Sequence, residues 1–334
     1  MRKYSQGATA AFSAAAMLVL ILDAKTALAG AVTGVEMCIQ TVIPSLFPFF
    51  LLSSVLTSAM IGRSLPGFRW LGKCLRIPAG AECIYLIGLL GGYPVGAQTL
   101  AIACRNRQLS LSDGRRMLAF CSNPGPAFLF GIGSMLFANV GLCWLVWGIV
   151  ILSSGIVALL TPGDPQPCHI RPGTQNAGFS QALRTSLITL ATVCGWIILV
   201  RVILAFADRW FLWLLDTNGQ VLAYGLLEIS NGCIALKQIP SQELRLIFYT
   251  AFLSFGGLCI TLQTYSVLSG CGVDMLYYLP GKIVQSAISI FLCCLVTGKL
   301  HIWVVLIPVL LCVFYRIWTK KSKISSRNPH RVVV

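Results

Sequence analysis

Gly88-Leu89-Leu90-Gly91-Gly92-Tyr93-Pro94-Val95-Gly96-Ala97 lies in the middle of an apolar segment, 83–103, that is long enough to cross a bilayer. Its own composition argues against crossing. Pro94 removes a backbone donor, and the glycines permit a tight reversal. The flanks argue the same way. The loop before the segment carries Arg63, Arg69, Lys73 and Arg76; the loop after it carries Arg105, Arg107, Arg115 and Arg116. Strongly basic short loops stay in the cytoplasm, so both ends of the segment belong on one side. It therefore reads as a re-entrant hairpin. Arms of about seven to nine residues reach roughly 10–14 Å at 1.5 Å per residue, close to the midplane. Irregular backbone at that depth must be covered by protein or line a wet cavity.

The composition sets the same context. Hydrophobic residues make up 57% of the 334 and charged residues 10%, with mean hydropathy +0.81. Soluble domains carry roughly 25% charged residues. The apolar residues come in runs near twenty, the length a bilayer core of about 30 Å demands of a helix. The net charge of +15 sits in short loops and at the termini without interleaved aromatics. It reads as a topology signal, and nucleic acid is excluded as a partner. The fourteen cysteines form no CxxC and mostly lie inside apolar runs, as Cys194, Cys259 and Cys293 do. They read as small buried hydrophobes. His169, His301 and His330 are far apart, and neither a metal nor a cofactor is expected.

Ten apolar segments can be marked: 8–29, 38–60, 83–103, 117–137, 140–160, 185–207, 219–236, 246–268, 281–298 and 301–318. Arg2 and Lys3 precede the first, and Ala27-Leu28-Ala29 resembles a signal-peptidase site. An uncleaved span is favoured there because many spans follow. The Pro- and Gly-rich stretch 161–184 divides the chain. Segment 219–236 is interrupted by Glu228-Ile229-Ser230-Asn231-Gly232 and reads as a second hairpin, dipping from the opposite face. Eight full spans and two hairpins then put both termini, the linker and the tail with Arg316, Lys320, Lys321, Lys323, Arg327 and Arg331 in the cytoplasm. The expected organisation is an N-terminal span in 1–30, a first repeat in 31–160, a linker in 161–184, a second repeat in 185–300, and a last span with its basic tail in 301–334.

The halves share an order of features. The first reads GLLGGYPVGA, a polar stretch (LSLSDGRRML), then AFCSNPGPAF; the second reads GLLEISNGCIA, a polar stretch (IPSQELRL), then AFLSFGGLCI. Gly88 to Gly125 is 37 residues and Gly225 to Gly257 is 32. With the first half entering from outside and the second from inside, the fold class is an all-α polytopic membrane protein with an inverted-topology repeat. Segments interrupted at corresponding positions of two such halves point to a transporter's binding site.

Ile43-Pro44-Ser45-Leu46-Phe47-Pro48-Phe49-Phe50, Gly91 to Ala97, and Phe120-Cys121-Ser122-Asn123-Pro124-Gly125-Pro126-Ala127-Phe128 resemble the YlbJ/SpoVV family of sporulation integral membrane proteins. Glu228 to Gly232, Ser254-Phe255-Gly256-Gly257 and Gln263 are similar to the same pattern in the second half. The resemblance spans roughly residues 36–300. It implies a duplicated nucleoside recognition, or Gate, domain, distantly similar to concentrative nucleoside transporters. It also implies a role in spore formation and, through SpoVV, movement of dipicolinic acid toward the forespore.

Candidate site residues follow from the interruptions. Gly92, Pro94 and Gly96 shape the first hairpin tip, and Gln98 lies on its return arm. A helix N-terminus at such a tip offers N–H donors to an anion. Asn123, Pro124 and Gly125 break segment 117–137, where Asn123 either binds a ligand or recaps the helix. Gly256, Gly257 and Gln263 are their second-half counterparts. Glu228, with Asn231 beside it, is the acidic residue near the middle of an apolar segment. It reads as a proton- or cation-coupling group, or as a neutral structural one. Arg201 either meets a substrate carboxylate bidentately, snorkels outward or pairs with Glu228. No nucleophile–base constellation, phosphate loop or HExxH is present, so no enzyme is expected. The expected function is transport of a small polar or anionic metabolite, dipicolinate by resemblance. The alternatives are a non-transporting scaffold of a sporulation complex and a nucleoside transporter. The expected partners are the lipid bilayer and a small-molecule substrate, with self-association left open.

Overall fold

The computed structural model describes residues 2–60, 63, 66–163, 168, 178–299 and 301–327. Linker residues 164–167 and 169–177, with His169 and Arg171, lie outside the described residues, as do His330 and Arg331 of the tail and the side chains of Arg2, Lys3, Lys323 and Arg327. All regular structure among the described residues is helical. In chain order the helices are α1 (Arg2–Leu22), α2 (Ala24–Met37), α3 (Ile43–Met60), α4 (Arg69–Leu75), α5 (Glu82–Gly91), α6 (Val95–Arg105), α7 (Leu111–Cys121), α8 (Pro126–Leu136), α9 (Val140–Leu160), α10 (Phe179–Trp210), α11 (Thr217–Leu227), α12 (Ile229–Ala235), α13 (Gln242–Phe255), α14 (Gly257–Leu268), α15 (Tyr278–Thr297) and α16 (Ile302–Arg327). Their starts follow local chemistry. Asp23, Ser110, Asn139, Asp216, Glu228 and Ser241 each accept a hydrogen bond from a backbone N–H two or three residues on, capping α2, α7, α9, α11, α12 and α13.

Six helical stretches are long and apolar enough to cross a membrane: Ala24–Leu56, Val140–Leu160, Phe179–Trp210, Gln242–Leu268, Tyr278–Thr297 and Ile302–Ser322. The chain is an integral membrane protein. Large side chains on the outside of the bundle, such as Leu306, Val309 and Phe314 of α16, are exposed where lipid would lie. The elements α5, α6, α7, α8, α11 and α12 have 7–11 residues each. None is long enough alone for a core of about 30 Å.

The start of the chain departs from expectation. In place of segments 8–29 and 38–60 joined by a loop, the helix turns at Asp23 and then runs on through 30–37 into a π turn at Cys38–Val42. Nothing in Ala-Gly-Ala-Val-Thr-Gly-Val-Glu breaks a helix. Gly30 and Gly34 instead let α2 lie directly on α10. A Cβ on Gly30 would come within 2.9 Å of Arg201 O and Val202 Cα, and one on Gly34 within 2.8 Å of Ile198 Cα. Small residues four apart allow this close approach in a bilayer, where packing rather than water expulsion drives association. The pair runs antiparallel, with Cys38 Sγ 3.7 Å from Cys194 O and Ser54 Oγ 3.4 Å from Ser186 Oγ.

The basic residues gather. Arg116 is buried and donates to the carbonyls of Leu75, Arg76, Ala158 and Thr161. Arg105 donates to Val267 and Ser269, Arg316 donates to Leu159 and Leu160, and Arg115 pairs with Asp274. Elsewhere Arg209 pairs with Asp23, Tyr224 donates to Asp208, Arg245 donates to the Leu136 and Ile239 carbonyls, and Lys299 pairs with Glu243.

Candidate functional site

The first break begins with two prolines. Pro124 and Pro126 have no N–H, so the last carbonyls of α7 lose their helical partners and the chain runs extended through Ser122 and Gly125. Pro126 then opens α8, where its fixed φ suits the first turn. Asn123 Nδ2 takes one orphaned carbonyl, Phe120 O, at 2.8 Å. The arms of the first hairpin close around this end. Gly88 of α5 and Gly96 of α6 both abut the Cys121 carbonyl, where any Cβ would overlap it. At the tip, Gly92 has φ +80° and packs on Gly125: a Cβ there would be 2.7 Å from Gly125 N.

A second set of close glycine contacts lies at α11 to α14. The α11–α12 turn brings Gly225 and Gly232 together against Phe252 of α13. α13 ends at Gly256 (φ +86°), α14 starts at Gly257 (φ +80°), and a Cβ on Gly257 would be 3.1 Å from Gly225 O. Glu228 lies between α11 and α12, 1% exposed. Its Oε2 accepts from Asn231 N at 2.8 Å and Asn231 Nδ2 at 2.7 Å, so it caps α12. Arg201 Nη1 donates to Asn231 Oδ1 at 2.6 Å. Arg201 is thus linked to Glu228 through Asn231 and makes no direct ion pair with it among the described residues.

One cleft collects these ends. It is lined by Leu90 to Tyr93 at the first tip, Pro124 and Gly125 at the first break, Glu228 to Ser230 at the second tip, and Ile260 and Gln263 of α14. Thr41, Ser45 and Phe49, with Val193 and Ile197 of α10, complete the wall. Its volume is about 670 Å³. Mostly apolar walls with a few convergent polar groups are what small-molecule sites use. Gln263 is buried; its Nε2 donates to Cys259 Sγ at 3.2 Å and its Oε1 has no partner among the described residues.

Behind the first tip lies a residue that sequence reading passed over. Lys282 of α15 is fully buried. Its Nζ donates to Ser122 O, to Gln285 Oε1 at 2.8 Å and to Tyr93 Oη at 3.2 Å, and it lies 5.1 Å from the Tyr93 ring centroid. Gln285 Nε2 in turn donates to Asn123 Oδ1 at 2.8 Å. Tyr93 Oη donates onward to Leu253 O at 3.1 Å, joining the first tip to the second break. Beside this network, Ser254, Ser289 and Ser153 form a hydroxyl chain with links of 2.7 and 2.9 Å.

The structure brings Gly92, Pro124, Gly125, Glu228 and Gln263 to the cleft wall, with Gly256 packed on the Tyr93 ring and Gly257 under the second tip. Asn123 has both side-chain polar atoms engaged by Phe120 O and Gln285, so recapping is its observed part. Asn231 and Arg201 support Glu228 from outside the lining. Pro94 and Gly96 shape the hairpin but do not line the cleft, and Gln98 is buried on α6 with no partner for either amide atom among the described residues. Lys282 and Gln285 were missed because Lys282 stands at the end of an apolar segment, where lysines ordinarily snorkel. The available signal was Lys282, Gln285 and Ser289 at helical spacing on one face.

No family model and no solved structure matches the chain. The chain is similar to a curated relative, the sporulation integral membrane protein YlbJ of Bacillus subtilis (strain 168), with 24% identity over 300 residues, 76% of this chain and 73% of that one. That likeness supports the resemblance drawn from the motifs and, with the apolar helices, describes an integral membrane protein similar to a sporulation protein.

Proposed function

We propose that the chain is a permease-like transporter for a small polar or anionic metabolite, acting in spore formation, with dipicolinate the first candidate by resemblance. In this reading α5–α6 and α11–α12 are re-entrant hairpins dipping from opposite faces, within an inverted repeat of two Gate-like halves. The observation that carries it is the cleft onto which both hairpin tips and the first helix break converge, with Ile260 and Gln263 of α14 beside them. Supporting the hairpins, the chain before α5 and the chain after α6 are tied together by Arg116, which reaches Leu75 and Arg76. No reaction chemistry is proposed.

The cleft also suggests the form of coupling. Its carboxylate, Glu228, would repel an anionic substrate in a site from which water is largely excluded. A proton or cation bound with the substrate removes that repulsion, so uptake and proton movement are expected to be linked.

The test is uptake into proteoliposomes holding the purified chain, with dipicolinate, other small dicarboxylates and a nucleoside as parallel substrates. Saturable uptake of an anion, enhanced by an imposed pH gradient, is the expected result. Nucleoside uptake alone would favour the nucleoside reading. No uptake of any of them would favour a scaffold.

A further inference from the structure

The surroundings of Lys282 suit a cation more closely than they suit a lysine seeking a counter-ion. None of the ion pairs Arg115–Asp274, Arg209–Asp23 and Lys299–Glu243 of the described residues involves Lys282. A buried ammonium without a carboxylate must be compensated by oxygen acceptors. Lys282 has three donors, and they meet three oxygens of different kinds: a main-chain carbonyl, a side-chain amide and a phenol. The carbonyl, Ser122 O, is released by the break after α7 and stands at the helix's negative end. Gln285 is held oxygen-inward because its Nε2 is taken by Asn123.

Carbonyls of an unwound helix end, together with side-chain oxygens, are what membrane transporters use to bind a coupling cation. We propose that the Lys282 ammonium is a tethered cation filling a monovalent-cation site at the break after α7, so that no free sodium or potassium ion is needed there. The same atoms join three parts of the protein. Lys282 ties α15 to the first hairpin tip through Tyr93 and to the first break through Ser122, and Tyr93 reaches the second break. A fixed cation would hold tip and break together without a dissolved ion. The consequence for coupling rests on the transport reading above; the site itself does not.

Thermal unfolding of the purified full-length chain in detergent tests the site without any transport assay. The salts are sodium, potassium, methylammonium and choline chloride at equal ionic strength. The wild type should unfold at one midpoint in all four. Lys282→Ala should unfold at a lower midpoint in choline and recover in at least one of the three smaller cations, which can enter the vacated space. Lys282→Met, whose chain fills that space without a charge, should be lowered and recover in none. If Lys282→Ala cannot be isolated in choline, it should be recoverable when prepared in one of the smaller cations. Failure in all of them overturns the proposal, as does a Lys282→Ala midpoint indifferent to the salt. Specific stabilisation of the wild type by sodium or potassium at this site, seen as loss of that effect in Lys282→Met, would also overturn it. A negative uptake result with these salt effects intact would remove the transport reading and leave the tethered cation standing.

Discussion

Gly125→Ala tests whether contact between hairpin tip and helix break controls activity. A Cβ on Gly125 would lie 3.0 Å from both Gly92 Cα and Gly92 N, and 3.2 Å from Gly91 C. Comfortable carbon contacts begin near 3.5 Å, so the tip must retreat by about half an ångström. Those atoms are backbone and cannot rotate away. Overpacking of this kind costs about 1–3 kcal/mol. At about 1.4 kcal/mol per factor of ten, the docked tip becomes about 5- to 140-fold less favoured. Initial uptake rates in proteoliposomes should fall within that range, with the variant still inserted and its unfolding midpoint in detergent lowered. Gly131→Ala is the control. It lies on α8, and a Cβ there meets nothing within 4 Å. It should match the wild type in uptake and stability. If the two alanine variants behave alike, the tip-on-break contact has no part in function and the cleft loses its basis as a site.

Further outcomes are expected elsewhere. Arg116→Met should strip the Leu75, Arg76, Ala158 and Thr161 carbonyls of their shared donor; losing two charge-assisted bonds alone costs at least about 3 kcal/mol. Chemical denaturation should register that loss, and Arg116→Lys should restore little of it, because a point charge cannot span four carbonyls. Glu228→Gln keeps an oxygen to cap α12, so its stability should drop by less than about 1 kcal/mol. Proton-driven uptake should nevertheless fail while substrate exchange survives; gradient-driven uptake that stays intact would remove Glu228 from coupling. Single cysteines at Lys73 and Arg107, in a background without native thiols, should label from the same cytoplasmic side. Labelling from opposite sides would end the re-entrant reading of α5–α6.

Residues with strong local preferences were legible in advance. Apolar runs near twenty residues admit few environments other than a bilayer, and six helical stretches among the described residues have that character. The interruptions were legible because Gly and Pro act on their own backbone wherever they are placed. The turns at Gly92-Tyr93-Pro94, Asn123-Pro124-Gly125, Glu228 and Gly256-Gly257 all fall where the helices stop. Glu228 stood out because a carboxylate in an apolar run is rare on energetic grounds alone.

What only the tertiary structure decided were the identities of partners far apart in the chain. Gly30 and Gly34 fall between the apolar segments 8–29 and 38–60, and only α10 lying on them shows their part in close helix packing. Arg201 had three open readings, and its observed partner, Asn231 Oδ1, is one that none of them named. Lys282 was the largest omission. Its place near a segment end fits an interfacial lysine, and Gln285 and Ser289 on the same face are the only local hint otherwise. Its acceptors at Ser122 and Tyr93 are 160 and 189 residues away. Whether an ammonium faces lipid headgroups or three buried oxygens depends on which helix end the fold brings to it, and that is a long-range property no local pattern encodes.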